Sequence, residues 1–552
     1  MTEKTLEDYR NENNYTSEEK DKLLTNANQI MENSIDLAGQ LITNKPHIAE
    51  IILRQLLRCD PEHLGGLQLL GLCKHRMGQS AEAVEIFQTA LELDPNCADN
   101  WNNMGIAYGG LENPERAAEC IKKAIELNPN QYLFLNNLAL QYRAMQDYPN
   151  AVATLEKAIQ VKEMPQLMVN MGGVYGEMKD AKNARKYFER ACEIAPNYSA
   201  AHVDMAFSYH LEGEWEKGFE HYEWRFDYYP QLFYYKRAYD QSKLWNGKAS
   251  LAGKRLLIYC EQGIGDTIQF IRYMPQLKAL GAHTVVHCAG PSLEPLIRRC
   301  AGVDETVVLN IVTEDHVELP PYDYQCASMS LPYLLKDYSL RGEPYIAPIT
   351  DRFREYIGKN YKDTFNIGIV WAGSPAHPQD KRRSIPLRFF RPIYNLEGVK
   401  LFSLQMDLRP RQYGLVQRQV DVTKEMMSTN FKPEQSVVDY CEGCEDMSLV
   451  DLTPMIQTFE DTATILTGLD LLICCDTAVA HLAGAMGVPI WVAIPYNPDW
   501  RWTYDGEKTG WYDSMRLFRQ EKSGYWTGVF ERMQKELNEN LLPAKRQKLS
   551  QN

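Results

Sequence analysis

Three short segments of this 552-residue chain combine glycines, hydroxyls and charged groups at spacings that suit anion handling. Gly263-Ile-Gly265-Asp266 follows the apolar run Arg255–Cys260 and opens a helical pattern reaching about Leu280. Two glycines let main chain approach a ligand closely, and amides at a helix start favour an anion or a carboxylate. The segment lacks the third glycine of a dinucleotide fingerprint and the Gly-Lys-Ser/Thr of a phosphate loop. Two readings of Asp266 stand: a helix-start residue with Gln269 at capping-box spacing, or a group that handles protons.

Cys475-Asp476-Thr477-Ala478-Val479-Ala480-His481 also joins an apolar run to a helical pattern. Thr477 suits a helix cap and His481, one turn in, suits a packed histidine. Functionally, free amides there suit a diphosphate, and Asp476 and His481 suit ribose, phosphate or sugar hydroxyls. The third segment sets Gly373-Ser374 ahead of Lys381-Arg382-Arg383-Ser384. A basic cluster is commonly solvated surface; beside a strand end in an acidic chain it is also a phosphate clamp. No Asp-x-Asp occurs, and Cys441-x-x-Cys444 has neither a second pair nor nearby histidines, so no metal site is expected.

These segments need scaffolds, and the chain has the length for three or four domains. Lys+Arg number 59 against Asp+Glu 73, a net charge of −14, which disfavours nucleic acid and anionic membrane as partners. Hydrophobic content of 44% with 24% charged residues is that of a globular chain rather than a disordered one. The polar, acidic opening is no signal peptide, and the most apolar stretch, Leu471–Ile494, carries Asp476, His481 and Pro489 and reads as no membrane span. Thirteen scattered cysteines fit reduced thiols, with Cys474 and Cys475 in core, so a cytoplasmic location is expected.

Gly71, Gly105, Ala139, Gly172 and Ala206 lie 34, 34, 33 and 34 positions apart. Tyr108, Tyr142, Tyr175 and Tyr209 stand three residues after the last four of them, with Lys74 in the first frame. Ala83, Ala117, Ala151 and Ala184, then Ala90, Ala124, Ala158 and Ala191, keep the same frame, and Pro95, Pro129 and Pro196 close three units, with Pro165 slightly displaced in the fourth. Small residues where helices touch, aromatics in the gaps and proline at a helix stop match the tetratricopeptide (TPR) pattern of about 34 residues. A degenerate unit with Ala49 ends near Pro61. Such arrays present a groove to another chain, so a protein or peptide partner is expected. The tryptophans Trp215, Trp224 and Trp245, with Tyr228, Tyr229, Phe233, Tyr234 and Tyr235, mark where the repeats stop.

Beyond Lys254 the period changes. Strands are expected at Arg255–Cys260, Thr284–Cys288, Glu305–Leu309, Ile367–Trp371, Val399–Gln405, Leu449–Leu452, Leu471–Cys475 and Pro489–Ile494, with helices at Phe459–Leu469, Ala478–Met486 and about Trp526–Leu541. Strand–helix alternation on both sides of Pro344–Pro348 predicts two doubly wound α/β domains. The expected division is a helical cap at 1–45, a TPR solenoid at 46–228, an aromatic-rich linker at 229–252, α/β domains at 253–350 and 351–541, and a tail at 542–552.

Seven matches in order extend these motifs: Glu261-Gln-Gly-Ile-Gly-Asp-Thr-Ile-Gln269, Val370-Trp-Ala-Gly-Ser374, Arg383-Ser-Ile-Pro386, Phe402-Ser-Leu-Gln405, Asp461-Thr-Ala463, Asp476-Thr-Ala-Val-Ala-His481 and Pro498-Asp-Trp-Arg-Trp502. Together they resemble the heptosyltransferase-type glycosyltransferases (family nine) that are fused to tetratricopeptide repeats. The resemblance implies an α plus α/β chain: a TPR solenoid followed by a GT-B fold of two Rossmann-like domains, the second holding a nucleotide-sugar. Asp266 maps onto the family's general base and Arg383 onto its basic phosphate ligand. Asp476, Thr477, Ala478 and His481 map onto its Asp-Thr-small-x-x-His element, with alanine where glycine is often found. Gly263, Gly265, Ser374, Lys381 and Gln405 complete the expected donor-binding set. The implied activity is metal-independent sugar transfer to a protein recruited by the repeats, with the nucleotide-sugar as substrate and no cofactor. A lipopolysaccharide or oligosaccharide acceptor, and an inactive TPR scaffold, are the alternatives.

Overall fold

The computed structural model describes residues 17–288, 290–308, 319–347, 352–406, 415–419, 437–440, 444, 447 and 449–551. Each repeat frame becomes a helix–turn–helix: Leu64–Arg76 with Ser80–Leu93, Ala98–Gly110 with Pro114–Leu127, Tyr132–Ala144 with Tyr148–Val161, and Pro165–Glu177 with Ala181–Ile194. Helices Ser17–Leu41 and Pro46–Cys59 precede them, with Ala49 fully buried. The frame glycines are close-approach points. A Cβ on Gly71 would stand 2.6 Å from Phe87, on Gly105 2.5 Å from Ile121, and on Gly172 2.3 Å from Phe188. Within each pair the turn needs one left-handed residue, which Gly78 supplies without strain and Glu112, Gln146 and Lys179 adopt with φ near 60°. Asparagine amides link successive repeats: Asn137 Nδ2 donates to Asn102 Oδ1 at 2.9 Å and Asn170 Nδ2 to Asn136 Oδ1 at 2.6 Å.

The chain divides into two compact units, residues 1–204 and 205–552, the division falling inside helix Ser199–Leu211. In the second unit, β1 (Arg255–Tyr259), β2 (His283–His287), β3 (Glu305–Val307) and β4 (Tyr324–Ala327) form a sheet in the order β3-β2-β1-β4. A second sheet combines β5 (Phe365–Val370), β6 (Val399–Ser403), β9 (Val450–Asp451), β10 (Leu471–Cys475), β11 (Ile490–Ile494) and β12 (Met515–Arg519) in the order β12-β11-β10-β5-β6-β9. Every pair in both sheets is parallel, as strand–helix alternation requires. Strands β7 (Leu415–Gln419) and β8 (Val437–Tyr440) form a separate antiparallel pair. The central strands are apolar on both faces, with β5, β10 and β11 buried at every position.

The helical pattern after Gly263 is broken where one helix was expected. It runs Ile264–Phe270, a 3₁₀ turn Ile271–Tyr273 and a new helix Met274–Ala279, because Pro275 has no amide hydrogen and fits only the first turn. Strands β4 and β12 add to the expected set. The C-terminal helix Thr527–Glu536 continues through a π-helical turn, Leu537–Leu541, into helix Leu542–Gln551. Expected strand residue Leu309, and Cys441 of the cysteine pair, lie outside the described residues.

Residues 205–252 are built into the second unit. Phe219, Tyr222, Trp245 and Leu251 share a core with β1 and with Trp500, Trp502 and Trp511. Trp245 donates its amide to the Gln325 carbonyl at 2.9 Å, and Tyr235 and Tyr239 stack on Tyr259 at 5.3 and 4.5 Å. Arg225, fully buried, donates to Glu261 Oε1 (2.8 Å), Ser330 Oγ (2.8 Å) and Glu223 Oε1 (2.8 Å). The other Glu261 oxygen accepts from Ser328 Oγ at 3.1 Å. Tyr222, Tyr239, Trp245 and Leu251 of this segment are therefore core, while Tyr228 is exposed.

Candidate functional site

In parallel sheets ligands gather beyond the carboxyl ends of the strands, where strand order reverses. In the second sheet that point lies between β5 and β10, so the loops Trp371–Ser374 and Asp476–Ala478 part there. The loop after β1, Gly263–Asp266, meets them. A Cβ on Gly265 would stand 2.8 Å from His481 Cδ2 and 3.5 Å from the Ala478 Cα, so only glycine admits this approach. The first and second sequence segments, about two hundred residues apart in the chain, are thus in contact.

Asp266 is residue three of its helix rather than the cap. Gly263 is extended, and its amide donates to Asp266 Oδ2 at 2.8 Å. The other oxygen, Oδ1, accepts from Arg501 Nη2 across the two sheets. Gln269 takes no part in the capping expected of it. Its Oε1 accepts from Arg501 Nε at 2.7 Å, and Asp499 Oδ1 accepts from Nη1 at 2.8 Å. Arg501 also lies over the Trp500 ring, 4.1 Å from its centroid. Arg501 belongs to the Pro498–Trp502 motif, but Asp266 and Gln269 lie 235 and 232 positions away from it, beyond any local signal.

Gly373 matters for a second close approach. A Cβ there would meet the Arg383 guanidinium at 2.4 Å, so the side chain lies flat on the loop after β5. Arg383 Nε is buried, makes no hydrogen bond among the described residues, and lies 3.6 Å from Asp380 Oδ1. Ser374 and Lys381 are exposed at the same strand end. Gln405, buried at the end of β6, accepts from the amides of Trp371 (3.1 Å) and Ala372 (2.9 Å), so its carbonyl holds the loop that carries Gly373. Thr477 is extended and precedes helix Ala478–Ala485, without a side-chain cap bond.

His481 is 5% exposed, its Nδ1 2.9 Å from Tyr512 Oη and its ring stacked on Trp502 at 5.4 Å. Burial, with Arg501, Arg272 and Arg383 nearby, holds its pKa well below the ordinary histidine value, so the ring is neutral. Burial and the Asp499 carboxylate push Asp476 up to about 6, against the pull of Arg383 and Arg501. His377, on the loop after β5, is lowered chiefly by burial and by Arg383, opposed by Asp499, Asp266 and Asp380. The cleft therefore gathers the carboxylates of Asp266, Asp380, Asp476 and Asp499 around Arg383 and Arg501. Among the described residues, no three His, Cys, Asp or Glu side chains are placed to hold a metal ion, and no helix is long and apolar enough to cross a membrane.

A cavity of about 370 Å³ lined by Arg354, Lys362, Asn366, Asp470 and Lys545 opens elsewhere. Asn366 and Asp470 mark the amino ends of β5 and β10, the wrong end for this chemistry.

The Asp476 shift has a testable consequence. Its folded value exceeds that of the unfolded chain, so the native state takes up this proton first. Ionisation is a cost to stability present above pH of about 6, relieved as pH falls towards about 4. Asp476→Asn is expected to raise the melting transition above that of the parent at about pH 8, the gap narrowing at about pH 5. A gap that widens on acidification would reverse the assignment.

Models described as tetratricopeptide repeat match residues 65–97 and 165–198, 98–131, and 120–153. The helical pairs are tetratricopeptide repeats. Among curated proteins, Protein FlbA of Caulobacter vibrioides is 25% identical over 430 residues, covering 67% of this chain. The chain spans 66% of the length of that relative. Two-thirds coverage exceeds the 204 residues of the first unit, so the likeness reaches beyond the TPR array. A solved thermophilic TPR protein of Thermus thermophilus is 20% identical, covering 32% of this chain and 98% of that one, with a TM-score of 0.31. The pilF protein of Pseudomonas aeruginosa is 18% identical, covering 38% of this chain and 97% of that one, with a TM-score of 0.32.

Proposed function

We propose that residues 205–552 are a GT-B glycosyltransferase that moves a sugar from a nucleotide-sugar donor to an acceptor, and that the TPR array recruits a protein as that acceptor. The observation that carries this reading is the contact of the Gly263–Asp266 loop with Ala478 and His481 of helix Ala478–Ala485 at the carboxyl ends of two parallel sheets. Asp266 there meets Arg501, and Arg383 lies on the loop after β5, the groups that deprotonation of an acceptor and departure of a diphosphate require. Asp266 takes the proton of the acceptor hydroxyl while its oxygen attacks the anomeric carbon. The carbon–oxygen bond to the diphosphate breaks, and the electron pair leaves on the phosphate oxygen. Arginine and helix amides neutralise that charge, without a metal in the reading.

The direct test incubates the protein with a panel of nucleotide-sugars and detects released nucleoside diphosphate or monophosphate. No release from any donor, with or without candidate acceptors, would leave the TPR scaffold reading. Recruitment has its own test. A chain of residues 205–552 is expected to bind donor as the full chain does while losing transfer to a folded protein acceptor; equal transfer by both would sink the recruiting role.

Arg383→Ala is expected to weaken nucleotide-sugar binding by roughly 1.5–3 kcal/mol, the scale of a hydrogen bond to a charged group. Calorimetry with the donor checks it, and unchanged affinity would return Arg383 to a structural role beside Asp380.

A further inference from the structure

We propose that Arg501 is a ligand of the donor diphosphate as well as of Asp266, and that it exchanges the carboxylate for the phosphate, so that donor binding and release of the base are one event. This rests on the glycosyltransferase reading above. With Gly263 on one oxygen and Arg501 on the other, Asp266 has both oxygens engaged by donors. Each oxygen keeps a second lone pair, but a guanidinium on Oδ1 competes with an acceptor hydroxyl for that oxygen.

The surroundings explain why Arg501 moves rather than stays. Asp266, Asp380, Asp476 and Asp499 crowd around Arg383 and Arg501, while the buried His481 is neutral and adds no positive charge. A diphosphate entering such a cleft needs more than Arg383. Arg501 is the second guanidinium, and its Nη2 can give a charge-assisted hydrogen bond to a phosphate oxygen. Asp499 and Gln269 hold the rest of the fork, so Nη2 alone has to change partners. Trp500 under the guanidinium keeps it in the cleft during the exchange. Once Nη2 turns to the phosphate, Asp266 Oδ1 is available to the hydroxyl, and the same arginine meets the charge that develops on the leaving oxygen.

A permanent clamp between the two sheets is the rival explanation, and a double-mutant cycle separates them. Calorimetry measures binding of uridine, guanosine, adenosine, cytidine and thymidine diphosphates to the full-length parent, Asp266→Asn, Arg501→Gln and the double variant. For the nucleotide that binds, Asp266→Asn is expected to bind about three- to tenfold tighter, because its competitor for Arg501 is weakened. Arg501→Gln is expected to bind about tenfold weaker or worse. The double variant should bind no tighter than Arg501→Gln. A gain that persists without Arg501 is plain relief of charge repulsion and overturns the exchange. So does an Arg501→Gln protein that binds like the parent. If Arg501→Gln does not fold, Arg501→Lys keeps the charge without the fork and should show a weaker gain from Asp266→Asn; an equal gain overturns the proposal. Absence of binding in all four folded proteins removes the donor reading itself, a failure distinct from binding without coupling.

Discussion

Asp266→Asn is expected to lower kcat for sugar transfer by about 10²–10⁴-fold, the usual contribution of general-base catalysis, without weakening donor binding. The substitution keeps shape and one acceptor oxygen, while its amide nitrogen cannot accept from Arg501 as Oδ1 does. Its side-chain oxygen still accepts from the Gly263 amide, which Asp266 Oδ2 does at 2.8 Å, so the start of helix Ile264–Phe270 is preserved. What disappears is the proton acceptor. Asp266→Ala removes the amide partner as well, and should add a stability loss of about 1 kcal/mol to the same loss of rate. Measuring kcat and the melting transition for both variants separates the two roles. An asparagine variant as active as the parent would take Asp266 out of the mechanism. Attention would then pass to His377, since His481 is packed against Tyr512 and Trp502.

The second large effect lies in the core. Arg225→Met is expected to destabilise the second unit by about 3–5 kcal/mol, because it leaves the Glu261 carboxylate buried without its countercharge. Both side chains are 0% exposed, so water cannot replace the lost partner. Burial already pushes the Glu261 carboxyl above the usual range, with Arg225 opposing it. Pairing the change with Glu261→Gln should recover much of the loss, since a neutral amide is far cheaper to bury than a lone charge. Scanning calorimetry of the full-length variants checks this. A single variant that melts with the parent would mean that Glu261 is satisfied without Arg225, by Ser328 among its other partners. Glu261 stands two residues before Gly263, so the same network also sets where the Asp266 loop leaves β1.

Local signals carried much of this molecule. Leu471–Cys475 is a strand at its expected bounds, because five consecutive apolar residues between turn signals can only be buried on both faces. Strand β12 carries Arg516 and Arg519 at an edge of its sheet, which hid it among charged segments. Tyr324–Ala327 is four residues long with a glutamine inside, too short for a period to show. Gln405 sits in a motif suggestive of donor contact, yet its carbonyl supports the amides of Trp371 and Ala372. Gln269, spaced as a capping partner, holds Arg501 instead.

What the sequence by itself determined is therefore the set of elements: the 34-residue helical pairs, the parallel strands and the loops that carry Gly263, Gly373 and Asp476. Those follow from turn chemistry and apolar period, which act over a few residues. Only the tertiary structure decided which charges meet. Asp266 and Arg501 lie 235 positions apart, and Arg225 and Glu261 lie 36 apart on different elements. Their pairing depends on how two sheets and a helical segment stack in a low-dielectric core. Coulombic and hydrogen-bond energies there follow distance in space, and separation along the chain carries no trace of it.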